Sequence, residues 1–191
     1  MMNKSGLIKL IGNIIINWWC WWSNYRFRGT RRLDKYVQDC DKVSDLNSIK
    51  QLVKRLFAKF EWTADGIDQL GDAVTPPPEN YNKYLNAPLR DDCDGFHSLV
   101  YHCLKNSGIE CYLMTVNPIR GGGHCVLIFN MWGKWYVNDY NQVYMGHVNP
   151  QDSVNDYNKM YTLYYKTGEV VYNGFVSYDY TEGKFRRVDL V

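Results

Sequence analysis

The hydrophobic period of this 191-residue chain changes part-way along it. Leu46, Ile49, Leu52, Val53, Leu56, Phe57 and Phe60 recur at steps of three and four. That spacing predicts an amphipathic helix over residues 45–60, with Ser44 as its capping candidate. A second stripe, Phe96, Leu99, Val100, Cys103 and Leu104, predicts a helix over residues 93–105. Asp91 and Asp92 are candidates to cap its start, and Asn106-Ser107-Gly108 stops it. Between the two helices residues 71–78 break regularity, and Pro76-Pro77-Pro78 predicts an extended, polyproline-like stretch. From Ile109 onward the period becomes that of strands. Residues 110–116, 124–130 and 135–140 are predicted strands, the last two joined by a turn at Trp132-Gly133. In the tail, residues 161–191, apolar and polar positions alternate around turn signals at 166–169 and 181–184, which predicts further strands. Helices followed by an antiparallel sheet make an α+β pattern.

Residues 7–22 fit neither period cleanly. The run is apolar but carries Lys9, Asn13 and Asn17, and it ends in Trp18, Trp19, Trp21 and Trp22. A cleavable secretory signal ends in small residues, and a membrane-spanning helix needs about 20 mostly apolar ones; neither is expected here. Three readings stay open: a helix lying in a membrane interface, a helix docked on another protein, or one packed on its own domain. The net charge of +2 conceals an asymmetry. Up to Leu33 there are six basic residues (Lys4, Lys9, Arg26, Arg28, Arg31, Arg32) and no acidic one, leaving sixteen basic and twenty acidic residues in the remainder. The expected organisation is a basic, Trp-rich extension over residues 1–40 and one α+β domain over residues 41–191. A protein partner or a membrane surface would be met through residues 7–32, and the near-neutral total makes no case for nucleic acid. The aromatic content of 16% favours a sheet-rich fold with large ring contacts.

Six cysteines could pair, but they show no C-x-x-C and no dense cluster. Cys103, Cys111 and Cys125 sit in apolar runs, where free cysteine behaves as a small hydrophobe. A reducing, cytoplasmic compartment is therefore expected. The four histidines do not pair with cysteines at zinc-ligand spacing, and no metal or cofactor is expected.

Chemistry concentrates around one cysteine. Cys93 is predicted at a helix N-terminus, where unpaired N–H groups and the helix dipole favour a thiolate and can receive a developing oxyanion. Asp91, Asp92 and Asp94 oppose that thiolate, so an activating base is required. Taken alone, Cys93 could equally be a small apolar residue of the helix. His124 follows Gly121-Gly122-Gly123 and opens an apolar strand, a position from which it can reach a cleft. With Trp132-Gly133 as the hairpin turn, Asp139 becomes a diagonal neighbour of His124 on the same face, about 7–8 Å away between backbones. A carboxylate there can hold the imidazole in the tautomer that accepts a thiol proton. Asn138 and Asn141 are the rival partners. His97, one turn from Cys93, is a weaker rival for the base, and His102 and His147 are expected to be surface or satisfied positions.

Asp92-Cys93-Asp94-Gly95-Phe96-His97, with the helix ending in Ser107-Gly108-Ile109, resembles the nucleophile helix of transglutaminase-like domains of the papain-like superfamily. Gly123-His124 before an apolar strand is similar to the family's histidine motif. Gly133-Lys134-Trp135-Tyr136-Val137-Asn138-Asp139 resembles its Gly-x-Trp-x-x-x-Asp. The match covers roughly residues 60–146. It departs at Leu113, where relatives carry Arg, at Cys125-Val126, where they carry Ala-Trp, and at His97 and Ser98 within the helix. The resemblance implies a papain-like core, a nucleophile helix packed on an antiparallel sheet, with an N-terminal helical extension. It also implies acyl transfer through a thioester on Cys93, with His124 as base and Asp139 orienting it. Hydrolysis of a peptide, isopeptide or amide bond is favoured. The alternatives are protein crosslinking, or a structural or interaction protein that retains the fold, for example in a membrane-associated or virus-like assembly. An upstream oxyanion or substrate-positioning donor is sought among Tyr81, Asn82 and Tyr84.

Overall fold

A computed structural model describes residues 4–28, 42–63 and 74–191. Its helices are α1 (Lys4–Arg26), α2 (Leu46–Ala58), α3 (Pro77–Asn86), α4 (Cys93–Asn106) and α5 (Pro150–Tyr165). The strands are β1 (Phe60–Trp62), β2 (Leu89–Asp91), β3 (Cys111–Pro118), β4 (His124–Met131), β5 (Lys134–Asp139), β6 (Gln142–Val143), β7 (Val170–Asp179) and β8 (Lys184–Val188). Strands β3 to β8 form one antiparallel sheet in the order β6-β5-β4-β3-β7-β8, while β1 and β2 pair in parallel beside it. The fold is α+β.

Alternation along the strands divides the core into two layers. Cys111 and Leu113 of β3, Leu127 and Phe129 of β4, and Val176 and Tyr178 of β7 face one side, against Phe96, Leu99 and Leu104 of α4 and Ile49, Leu52 and Val53 of α2. Met114, Val116, Val126, Ile128 and Val137 face the other side, covered by Val154, Tyr157 and Tyr161 of α5. The hairpin turns where the sequence indicates: Met131 pairs with Lys134 and Leu127 with Asn138. Trp132 and Gly133 both take positive φ, 53° and 76°, the two-residue turn that matches strand twist.

Three expectations are corrected. The cap of α2 is Asp45 rather than Ser44: its carboxylate accepts from Ser48 N at 2.7 Å while Ser48 Oγ accepts from Asp45 N at 3.1 Å, a reciprocal capping box. Pro77 and Pro78 are not an extended stretch but open α3, where their missing N–H groups have no intrahelical partner to lose. Residues 161–165 are not strand but the last turns of α5, a helix entered through Asn149-Pro150. Tyr157, Tyr161 and Tyr165 fall at steps of four, and a step of four also satisfies a period of two. Residues 71–73 of the expected irregular stretch and the expected boundary at residue 40 lie outside the described residues.

α1 packs along β7 and β8 on the α4 side of the sheet. A narrow stripe makes the contact: Gly12, Ile16, Cys20 and Ser23 are buried. Gly12 admits the Tyr172 ring, which would stand 2.6 Å from an added Cβ, and Gly174 of β7 admits Ile16. Asn24 closes the far end, accepting from Phe185 N at 2.8 Å and donating to Phe185 O at 2.9 Å. Among the described residues no helix is long and apolar enough to cross a membrane.

Candidate active site

α4 begins at Cys93 because Asp92 caps it, its carboxylate accepting from Asp94 N at 3.0 Å. Asp91 in turn accepts from Asp92 N at 3.0 Å, and Gly95 has no side chain to displace the Asp91 carboxylate. Carboxylate oxygens of Asp91, Asp92 and Asp94 lie within 4.8 Å of one another, the grouping among the described residues that could hold a metal ion. Two of the three carboxylates already bind backbone N–H groups at the helix start, which accounts for their proximity.

Beyond Leu127–Asn138 the β4–β5 ladder ends, and the Cys125 N–H donates instead to Cys93 Sγ at 3.4 Å. The sulfur thus faces both the start of α4 and the first residues of β4. His124, the first residue of β4, places Nε2 2.9 Å from Asp139 Oδ1, with the Asp139 side chain buried and that of His124 10% exposed. A carboxylate accepts, so Nε2 carries the proton and Nδ1 is the lone-pair nitrogen, the tautomer a general base requires. His124 is held flat by Tyr161, stacked at 5.6 Å between centroids, with Tyr140 on another side at 5.7 Å.

Asp139 is held from its other oxygen. Oδ2 accepts from Tyr157 OH at 2.9 Å and from Tyr165 OH at 3.4 Å. Burial pushes the carboxyl upward, but the hydrogen bond and charge of His124, the charge of His97 and the Tyr157 hydroxyl outweigh it. Asp139 is therefore held below the usual carboxylate range. The same carboxylate adds to burial in pushing Tyr165 up.

His97 has a different place from the one expected of a rival base. It is fully buried, its Nε2 accepts from Tyr140 N at 3.0 Å and its Nδ1 lies 2.6 Å from Cys93 O. Because a backbone N–H can only donate, Nε2 is the acceptor and Nδ1–H donates to Cys93 O. Burial lowers its pKa to about 4 against the attraction of Asp139, so the ring is neutral near pH 7. Both nitrogens are occupied, and His97 ties the first residue of α4 to the residue after Asp139. His102 is buried against Tyr180 OH (2.9 Å), and His147 meets Asp156 at 2.8 Å.

Cys93 and His124 line a cleft of about 500 Å³, together with Tyr140 and, from α1 and β1, Ile15, Trp18, Trp19 and Trp62. Tyr81 and Tyr84 are not brought to it. Tyr81 is buried in the core against His102, and Tyr84 lies under the Lys59 ammonium at 5.4 Å. The side chain of Asn82 lies outside the described residues. The sequence reading missed two sets of residues. The tyrosines of α5 were legible as a four-residue repeat. The α1 wall of the cleft was not, because residues 15–19 meet residues 93 and 124 only through the sheet.

No family model and no curated protein matches the chain. A crystal structure from Cytophaga hutchinsonii, provisionally named a cysteine protease, superposes on 65% of this chain with a TM-score of 0.40 and 9% identity. The match spans 39% of that protein's length. A likeness this distant carries no conclusion about chemistry.

Proposed function

We propose that the chain is a cysteine-dependent acyl-transfer enzyme that hydrolyses a peptide, isopeptide or amide bond through a thioester on Cys93. One observation carries this reading. The Asp139–His124 pair fixes the imidazole with its lone pair at Nδ1, while the next residue, Cys125, donates its N–H to the Cys93 sulfur. His124 Nδ1 takes the thiol proton and the thiolate attacks the carbonyl carbon. The oxyanion is received by N–H groups at the start of α4. Collapse of the tetrahedral intermediate breaks the C–N bond, and His124 returns its proton to the leaving amine. Water, deprotonated by His124, then attacks the thioester, releasing the acid and restoring the thiol. The aliphatic and tryptophan wall of the cleft suits an apolar group beside the reacting bond. The transglutaminase-like resemblance of residues 60–146 supports the same assignment of roles.

Intact-mass spectrometry during reaction with a p-nitrophenyl acyl ester tests the reading. An acyl adduct is expected on Cys93, absent in Cys93→Ala, and released as the free acid even when a primary amine is supplied. Release as the amide would move the assignment to crosslinking. A folded protein that forms no adduct on Cys93 would exclude acyl transfer.

A further inference from the structure

The outward side of α1 is unlike the rest of the surface. At 100° per residue, Leu7, Leu10, Ile11, Ile14, Ile15, Trp18, Trp21, Trp22 and Tyr25 fill an arc of about 140° that, from Leu7 onward, contains no polar or charged residue. This arc points away from the stripe that docks on β7 and β8. Eight of the nine are open to solvent, Ile14 at 59% and Trp21 at 58%, for instance, and Trp22 is half-buried. The nine residues make one continuous apolar band along a 23-residue helix, far from the scattered single exposures of an ordinary surface.

What covers this band is indicated by charge. The helix itself carries Lys4, Lys9 and Arg26 and no acidic residue, and the first 33 residues hold six basic residues and no acidic one. Arg26 and Arg28 are exposed at its C-terminal end, where the Arg28 guanidinium stands over the Tyr25 ring at 4.7 Å. Two copies of this face brought together would oppose only like charges, whereas anionic headgroups complement them. Aliphatic residues at the N-terminal end and tryptophans and tyrosine toward the basic end are the composition of a helix lying in the bilayer interface. The helix is not apolar enough to cross a membrane. Its polar side is supplied by the domain on which it docks.

We propose that α1 is an interfacial anchor that seats the protein on an anionic bilayer surface. Ile15 and Trp18 belong both to the outward band and to the cleft wall. The cleft mouth therefore opens at the lipid surface. Resting on the acyl-transfer reading above, this selects acyl donors held at a membrane: a lipid-linked peptide or amide, or a membrane-proximal protein segment.

The test is co-sedimentation of the full chain with phosphatidylcholine vesicles and with vesicles containing 30% phosphatidylserine, at low and high salt. Binding is expected to the anionic vesicles, to weaken as salt rises, and to fall at least ~10-fold in Leu10→Asp/Ile14→Asp. These two residues lie outside the cleft lining, so the variant's melting temperature and Cys93 acylation in solution are expected to stay at the wild-type level. In the wild type, brominated acyl chains are expected to quench tryptophan fluorescence. Cys93→Ala is expected to bind vesicles fully, so a failed acyl-transfer reading and a failed anchor give different results. Absence of anionic-vesicle binding would overturn the anchor. So would a stable dimer, or a complex with a protein partner, that is lost in Leu10→Asp/Ile14→Asp while vesicle binding is unaffected.

Discussion

Asp139→Ala is expected to destabilise the protein by about 3–5 kcal/mol and to slow acylation of Cys93 by on the order of 10³–10⁴-fold. The carboxylate is nearly inaccessible, at 4% exposure, and has three partners: His124 Nε2, Tyr157 OH and Tyr165 OH. Its removal leaves two buried donors, His124 Nε2–H and Tyr157 OH, without acceptors, and each orphan costs about 1–3 kcal/mol. Catalysis falls for a separate reason. Without an acceptor at Nε2 the imidazole is free to carry its proton on Nδ1, the nitrogen that has to accept from the thiol. Asp139→Asn separates the two effects. Its amide keeps the shape and part of the hydrogen bonding, so stability is expected to fall by less than half the alanine cost. Tyr157 OH and Tyr165 OH, which donate to Oδ2, hold the amide oxygen on their side, so the NH₂ faces His124 and forces the wrong tautomer. The rate is therefore expected to remain as low as in Asp139→Ala. Urea titration and the acylation rate, measured on both variants, check the separation. Equal rates for Asp139→Asn and the wild type would show that the carboxylate does not orient the base.

Stability is expected to fall by on the order of 3 kcal/mol as pH drops from about 6.5 to about 4, chiefly through His97. In the unfolded chain an imidazole takes up a proton near 6.5, whereas burial delays uptake in the folded protein until about 4. Between those values the unfolded state binds more protons, so acid favours unfolding. Above 6.5 neither state is protonated and the contribution is constant. Asp139, held below the usual carboxylate range, acts with the same sign in a lower window, losing its contribution as pH falls below the ordinary carboxylate value. His97→Gln, whose amide can still accept from Tyr140 N, should start less stable at pH 7.5. It should lose much less between pH 6.5 and 4. Chemical denaturation at pH 7.5, 5.5 and 4.5 reads both. A wild-type curve flat across that interval would mean that His97 is not buried neutral.

The sequence makes the second half of the fold legible where one period governs a whole element. α4 is announced by its apolar stripe, by Asp92 as cap and by Ser107-Gly108 as stop, and it occupies nearly the expected span. The β4–β5 register follows from Trp132-Gly133, which brings His124 beside Asp139 before any tertiary contact is considered. The failures have a common physical origin in ambiguity of period or choice of cap. Tyr157, Tyr161 and Tyr165 satisfy alternation and helical spacing together, so the end of α5, residues 161–165, fits a strand pattern as well. Three prolines satisfy both an extended stretch and a helix start, and the choice depends on the residues that follow. Ser44 and Asp45 are both capping residues, and only the reciprocal bonds with Ser48 decide between them. Within the site, the positions on elements adjacent in sequence were accessible. The contributions of His97 as a tie between Cys93 O and Tyr140 N, and of α1 as a cleft wall, arise from packing between distant segments.

The central claim is that His124, oriented by Asp139, serves Cys93 as base. The direct measurement is the pH–rate profile of Cys93 alkylation by iodoacetamide, followed by peptide mass spectrometry in the wild type and His124→Ala. The wild type should show rapid labelling of Cys93 that persists below pH 7, and His124→Ala should lose that low-pH limb and retain only the rise of an ordinary thiol. Identical profiles in the two proteins, both rising only near the ordinary thiol value, would contradict the account.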